Sequence, residues 1–520
     1  MTGFSRRALL KEIGLLSLPV VLTNFLETTV AVVDTLMIGQ LGPEALAAIG
    51  LANAIRALLL IMVLSVSVGS MSLIAQAKGA QDEDRMREVT RQSLLAGLVV
   101  GILLGMAGYL LAEPLLNLMD QSGNVEVVAE ATAYLRVIFL GVPFMMLQVV
   151  AVRLMQGAGD MQTPLYLTFV VVLLNIGFDY IFIFGFWEIP AYGVMGAALG
   201  TIAARALSFG AALLLFLSGR NVIRLHLSKW KRNLQMQRDI LDIGLPSGVQ
   251  GVFRRGANLI LLSLLTATQL GTLGAAVMAI IIQLEALMAQ PIVGINVAST
   301  SLIGRDLGRW QTRQAFRKGN AAVLLGILMM SVFTLLAFLY PATIIGWFDP
   351  SANEMVIEGA HWYFMTALLS MPLAAASIVI SGNLRGAGDT KPAMISTLAF
   401  RNVATLVLAW LFAFHLEMDY FGIWLAILIG RSLDAITMIW IWQRKKWLEV
   451  SLRKSELYRR HLVALSKSTR RAFLKNVREP ILADETAIEQ ILDRGILYRL
   501  PNSPGKFYTF DSQGYYLKEE

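Results

Sequence analysis

Two carboxylates sit where a membrane chain rarely carries them. The stretch Leu18–Gly42, LPVVLTNFLETTVAVVDTLMIGQLG, is apolar enough to cross a bilayer, yet it holds Glu27 and Asp34 and begins with Pro19. An acid at membrane depth is costly, so it faces a bundle interior or a wet cavity and often marks an ion or proton pathway. A helix with a proline near its start and an acid further on can change shape when that acid changes charge. This points to cation coupling; the plainer alternative is a structural acid on an ordinary membrane helix. Other ionisable side chains lie in apolar stretches too: Arg56, Arg254 and Glu285, with Arg136, Arg255 and Arg401.

Composition sets the frame for these charges. Of 520 residues, 56% are hydrophobic and only 15% charged, with a mean hydropathy of +0.62. Soluble domains carry about 25% charged residues, so the fold class expected is an all-α polytopic membrane protein. There is no cysteine, which removes disulfides, thiolate metal sites and cysteine nucleophiles. His226, His361, His415 and His461 are scattered, with no metal-ligand spacing and no nucleophile constellation, so nothing supports an enzyme. The basic N-terminus (Arg6, Arg7, Lys11) runs into a full-length span without a small-residue cleavage site and does not read as a removable signal peptide.

Apolar segments long enough to span fall at 14–38, 45–77, 93–113, 128–155, 164–186, 191–218, 239–266, 273–304, 319–345, 358–384, 393–415 and 419–443, twelve in all. Alternate loops carry the basic residues, among them Lys78, Arg85, Arg87, Arg91, Arg220, Arg224, Lys229, Lys231, Arg232, Arg305, Arg309, Arg313, Arg317, Lys318, Arg385 and Lys391. The opposite loops have neither Lys nor Arg. The positive-inside rule then puts both termini in the cytoplasm. The net charge of +8 is thereby explained by orientation rather than nucleic-acid binding.

The chain repeats itself at an offset near 229 residues. VPFMMLQVVAVRLMQGAGDMQTP (142–164) corresponds to MPLAAASIVISGNLRGAGDTKP (371–392), so Pro143 matches Pro372 and Gly157-Ala158-Gly159-Asp160 matches Gly386-Ala387-Gly388-Asp389. Leu18-Pro19 likewise matches Leu245-Pro246. Six spans per repeat give two lobes of equal orientation, related by an axis along the membrane normal, with a midplane site between them. The expected division is 1–222 and 223–445 for the lobes and 446–520 for a cytoplasmic tail. The Gly-Ala-Gly-Asp turns lack a following Gly-Lys-Ser/Thr and read as structural turns, not phosphate loops.

Two six-helix lobes, Pro19 with Asp34 on the first helix, paired Gly-Ala-Gly-Asp turns, and Asn175 with Asp179 on the fifth helix resemble the MATE transporters (multidrug and toxic compound extrusion). The resemblance covers about 8–443 and implies a V-shaped pair of bundles that exports amphiphilic, often cationic, compounds in exchange for inward protons or sodium, without a cofactor. The match favours the DinF-like and archaeal branch, with its cation site in the N-terminal lobe. Asp34 lies 15 residues after Pro19, as in that branch. Asn175 and Asp179 share a helix face, and Tyr134 and Thr201 resemble the remaining polar ligands. The resemblance thus assigns Asp34, Asp179, Asn175, Tyr134 and Thr201 to cation coupling, with sodium held by Asp34, Asn175, Asp179 and Thr201 if sodium is the ion, and Pro19 to a hinge. The NorM-like pattern is broken: the helix-seven acid is replaced by Arg254, and the tenth helix has no acid apart from Glu358 at its outer end.

Further expectations come from the residues alone. Two carboxylates close together in low dielectric cannot both stay bare; one holds a proton or a cation bridges them. The remaining depth-matched charges suggest two ion pairs, Glu27–Arg56 and Arg254–Glu285, with Glu27 as a second protonation site the alternative. Met145, Met146, Met155, Met278 and Met288 could line an adaptable apolar cavity. In the tail, 446–478 reads as a basic amphipathic helix on the inner leaflet, 484–494 as a capped helix, and 498–511 as an aromatic hairpin around Pro-Gly. The reading is a monomeric inner-membrane antiporter, in contact with membrane lipid but no nucleic acid; the competitor is a flippase for a lipid or lipid-linked oligosaccharide.

Overall fold

A computed structural model describes residues 6–119, 124–219, 222–225, 232–309, 311–348, 354–448, 450, 498–499, 506–511 and 514–519. Twelve long helices run in order: α1 (Arg6–Gly39), α2 (Pro43–Gly79), α3 (Glu83–Met119), α4 (Val125–Gly157), α5 (Gln162–Phe184), α6 (Gly193–Ser218), α7 (Leu234–Thr266), α8 (Leu273–Gly308), α9 (Thr312–Leu339), α10 (Glu354–Gly386), α11 (Lys391–His415) and α12 (Asp419–Gln443). Their positions match the twelve apolar segments, but many run several residues past them. α3 begins at Glu83, with Arg87 bonded to Glu83 and Asp84 within the first turns. Such helices project beyond the apolar slab or tilt within it. The ninth segment divides: α9 stops at Leu339, and a short helix, Pro341–Phe348, follows. Proline disfavours helical backbone at the residue before it, and Tyr340 leaves the helix with φ −128° and ψ 50°.

Local chemistry fixes other ends. Asn124 accepts from the backbone N–H groups of Glu126 and Val127 to start α4, and Asn233 accepts from Met236 to start α7. The helices form two groups of six, α1–α6 and α7–α12. One core inside the first group gathers Ile38, Ile49, Leu116, Leu135, Ile183 and Val194. The main core of the second gathers Leu261, Val277, Ile281, Tyr363 and Trp424, and takes from the first group only the start of α1, through Leu9, Leu10, Ile13 and Leu16.

The lobes therefore meet at one end, the end with the basic loops. There α2 lies against α7 and α8 with backbone on backbone. A methyl group at Gly244 would lie 1.6 Å from the Ser65 carbonyl oxygen, so only glycine permits that approach. Gln76 Nε2 donates to the Gly386 carbonyl at 3.0 Å, Ser301 Oγ to the Gly157 carbonyl at 3.0 Å, and Gln237 Nε2 to Gln92 Oε1 at 3.1 Å. Lys318 on α9 reaches Glu12 on α1 at 3.2 Å and Asp306 on α8 at 3.3 Å. Both Gly-Ala-Gly-Asp turns thus end on the seam between the lobes. At the opposite end, no core in the described residues joins the lobes.

Beyond α12, Trp447 stacks on Trp442 at 4.4 Å. The helices expected over 446–478 and 484–494 lie outside the described residues, apart from the first few positions. Strands β1 (Tyr498–Arg499), β2 (Lys506–Asp511) and β3 (Gly514–Glu519) form an antiparallel sheet in the order β1-β2-β3, with Tyr498 opposite Tyr508 and Phe510 opposite Tyr515. The aromatic runs either side of Pro-Gly do pair as a hairpin, with a third strand added.

Candidate cation site

Helix periodicity assembles the site. Glu27 and Asp34 are seven residues apart, two turns along one face of α1. Asn175 and Asp179 are one turn apart on α5, and Thr201 and Arg205 one turn apart on α6. These faces, with Arg56 of α2, enclose a chamber of about 160 Å³ lined by Glu27, Asp34, Arg56, Asn175, Thr201 and Arg205, its apolar wall made by Val30, Ala31, Met145, Val171 and Val172. Asp179 stands behind that wall, fully buried, where its carboxyl meets that of Asp34 within hydrogen-bonding reach. Asn175 Nδ2 donates to Asp179 Oδ2 at 3.1 Å.

The geometry is unfinished in one respect. Asp34 Oδ1 and Asp179 Oδ1 are both buried without a hydrogen-bond donor. Facing carboxylates repel unless something positive sits between them, and a buried acceptor left bare costs about 1–3 kcal/mol, more when charged. A proton on either carboxyl would bond the pair. A small hard cation would find oxygen ligands in Asp34 and Asp179, with Asn175 and Thr201 beside them. Two permanent cations stand by: Arg56 and Arg205 both flank Asp34. Each rests on a neutral acceptor, Arg56 on the Tyr134 hydroxyl at 3.2 Å and Arg205 on Gln148 Oε1 at 3.1 Å.

All five residues singled out for cation coupling are thereby near one another, Tyr134 through its contact with Arg56 rather than from the chamber wall. Two functional residues were missed. Arg205 sits in the middle of the sixth apolar segment and was not counted among its charges. Gly200 looked like a common small residue of a membrane helix, yet a methyl group there would lie 2.0 Å from Asp179 Oδ1. Its missing side chain is the space that the buried carboxyl occupies.

Neither expected ion pair forms. Glu27 and Arg56 line the same chamber, but Arg56 is directed to Tyr134. Glu285 is held by Arg431 of α12 at 2.7 Å, with the Tyr363 hydroxyl as a further donor, while Arg254 projects from α7 as an exposed side chain. Glu27 and Arg56 share a chamber, but counting along a helix does not give its rotation, and rotation decides the partner. Arg136, left without a partner by the sequence, bonds Glu113 at 2.8 Å. Of the methionines, Met145 lines the chamber, whereas Met146, Met155, Met278 and Met288 are core.

Two membrane-embedded acids of the second lobe, Asp434 and Glu285, are satisfied by contrast. Asp434 accepts from the Ser377 and Ser396 hydroxyls, both at 2.7 Å, and Glu285 is closed by Arg431 and Tyr363. Among the described residues, the facing pair of under-satisfied carboxyls lies in the first lobe. Among the described residues no group of three His, Cys, Asp or Glu side chains is placed to hold a metal ion.

Two six-helix lobes, joined at one end and enclosing buried charge at membrane depth, define a multi-pass membrane carrier. The MatE family profile matches residues 19–181 and 258–411, one block in each lobe and together more than half of the chain; the chain belongs to the MatE family, whose members are transporters. It is 28% identical over 444 residues to a probable multidrug resistance protein NorM of Thermotoga maritima, covering 84% of this chain and 93% of that one. It is 24% identical over 454 residues to a probable multidrug resistance protein YoeA of Bacillus subtilis, covering 85% and 96%. A multidrug resistance MATE family transporter in an outward-facing conformation superposes with a TM-score of 0.78 at 23% identity, over 88% of this chain and all of the other. A MOP superfamily transporter from Pyrococcus furiosus, described as having a binding pocket of reverse polarity, superposes with 0.77 at 24% identity, over 88% of this chain and all of the other. Both superpositions establish the two-lobe, twelve-helix fold.

Proposed function

We propose that the protein is a monomeric secondary exporter of amphiphilic compounds, driven by inward movement of a proton or sodium ion through the first-lobe site. One observation carries this reading: the facing Asp34 and Asp179 carboxyls, each with a buried oxygen that lacks a donor. The names of the relatives support efflux as the task. The basic loops support a cell inner membrane orientation with both termini cytoplasmic. In that orientation the seam closes the cytoplasmic end, and the end where no core joins the lobes faces outward.

The chain's own residues then act in sequence. An ion arriving from outside neutralises the carboxyl pair, and Arg56 and Arg205 stay on Tyr134 and Gln148. Once the ion leaves to the cytoplasm, Asp34 is bare and attracts both guanidinium groups. The chamber wall is rearranged, and α1 can bend at Pro19. Coupling requires that the loaded site favour one conformation over the other.

The test is uptake into proteoliposomes of fluorescent amphiphiles of either charge, driven separately by a proton and a sodium gradient. One gradient is expected to drive transport in wild type, and Asp34→Asn to abolish it with the protein still folded. Wild-type behaviour in Asp34→Asn would make Asp34 structural. A second reading, a lipid or lipid-linked oligosaccharide flippase, is favoured by a specific observation, the arginines Arg254 and Arg401 within the apolar stretches of α7 and α11. It predicts gradient-independent movement of labelled lipid between leaflets.

A further inference from the structure

The cation site leaves a set of arginines unused. Arg153 of α4 lies one turn before Gly157, and Arg385 of α10 immediately precedes Gly386, the two glycines whose carbonyls are tied across the seam. Arg153 from one lobe and Arg385 from the other are thus close electrostatic neighbours beside the seam, and Arg254 of α7 lies within reach of both Arg385 and Arg401. Arg401 is carried by a π-helical stretch of α11, Thr397–Ala404, a wide turn that re-aims side chains and recurs at functional sites.

Their bonding is neutral. Arg153 Nη1 donates to Gln156 Oε1 at 2.9 Å, and Arg385 Nη1 to Asn296 Oδ1 at 3.4 Å, while Arg385 Nε is buried with no acceptor. The acids nearby do not balance them. Glu27 is in electrostatic reach of Arg153 but forms no ion pair with it. Glu285 is engaged by Arg431, and both oxygens of Asp434 take serine hydroxyls. Four guanidinium groups within or at the ends of the spanning helices, none in an ion pair among the described residues, are an unfavourable arrangement for a fold alone. Deeply placed charges are normally paired or functional.

We infer that this arginine cluster is a binding site for the anionic head of an amphiphile — a carboxylate, sulfonate or phosphate group — whose apolar body lies against the Val30, Ala31 and Met145 wall of the adjoining chamber. The inference rests on the transport reading and gives its substrate a charge opposite to that usual for the resemblance. Guanidinium groups hold such heads through paired N–H donors. A cationic compound would meet the same groups as repulsion. An anion on Arg153 and Arg385 touches both lobes next to the seam, so its binding bears directly on whether the seam opens.

The experiment uses the purified full chain in a neutral detergent and three radiolabelled probes: taurocholate, a short-chain phosphatidic acid and tetraphenylphosphonium. At least one anion is expected to bind more tightly than tetraphenylphosphonium, to weaken as salt rises, and to lose about tenfold or more in affinity in Arg153→Gln/Arg385→Gln. Arg153→Lys/Arg385→Lys keeps the charge and loses the fork, so its affinity falls between. Binding of phosphatidic acid alone supports the site and assigns it to lipid; binding of taurocholate supports a soluble amphiphile. Tighter binding of tetraphenylphosphonium than of both anions by wild type overturns the inference even if the glutamine pair fails to fold. Wild-type anion affinity in a folded glutamine pair overturns it too. Failure of the transport reading looks different: anion binding that depends on these arginines, with no gradient-driven export of any probe.

Discussion

Asp34 and Asp179 show how a side chain's chemistry depends on a neighbour's absence of one. Asp179 is fully buried, and the room for its Oδ1 is the missing side chain of Gly200. Gly200→Ala therefore should displace the carboxyl or push α6 from α5, a strain of about 1–3 kcal/mol for overpacking. The expected result is a lowered melting temperature and loss of gradient-driven export. Gly177→Ala on the same α5 helix is the control, since a methyl group there meets nothing within 4 Å. It should leave export and melting unchanged, apart from the small gain from replacing glycine in a helix. Equal export by both variants would show that the Asp34–Asp179 geometry is not required for coupling. The acids themselves were legible in the sequence because a carboxylate in an apolar stretch stands out against its surroundings. Gly200 was not, because glycine is ordinary in membrane helices and its role lies in what a neighbouring helix puts into its space.

At the scale of elements, α1 joins the two jobs of the first lobe. Its C-terminal half carries Glu27 and Asp34, and its N-terminal half packs on α8 and joins the second lobe's core through Ile13. Between them Pro19 withholds the N–H that would bond one turn back, and the Thr23 hydroxyl donates to the Pro19 carbonyl at 2.8 Å, a bond that favours bending. Pro19→Ala restores the missing donor and stiffens the helix. It should keep the fold, with a melting temperature equal to or above wild type, and slow export about tenfold, read as initial rates at a fixed gradient. Unchanged rates would place the coupling motion elsewhere. Elements also explain the two wrong ion pairs. Counting residues from the outer turns compares only the depths of Glu27, Arg56, Arg254 and Glu285, because rise per residue is nearly constant along a helix. Partner choice depends on how each helix is rotated and on which helix comes third. Arg431 reaches Glu285 from α12, 146 residues further along the chain, and nothing local to either residue announces that meeting.

For the whole molecule, duplication and the basic loops made the two-lobe plan legible, but not which end would be shut. That is set by backbone contacts between helices that are distant in sequence, such as Gly244 of α7 against Ser65 of α2. The oxygen that a methyl group at Gly244 would strike belongs to the backbone, so no side-chain rotation relieves the clash. Gly244→Ala should therefore disfavour the closed seam while leaving each lobe's own core intact, and shift molecules towards a state open at the basic end. Ser301 reports the shift, being fully buried at the seam with its hydroxyl on the Gly157 carbonyl. The chain has no cysteine of its own, so Ser301→Cys supplies a single thiol. A seam destabilised by about 1.4 kcal/mol is opened tenfold more often. Labelling of Cys at that position by a water-soluble maleimide should accelerate by about that factor or more in the Gly244→Ala background, where opening limits the reaction. The acceleration should be greatest in reconstituted protein exposed to reagent from the side of the basic loops. An equal labelling rate in both backgrounds would mean that α2 and α7 stay together through the cycle, and that the lobes exchange access by some motion other than parting at this seam.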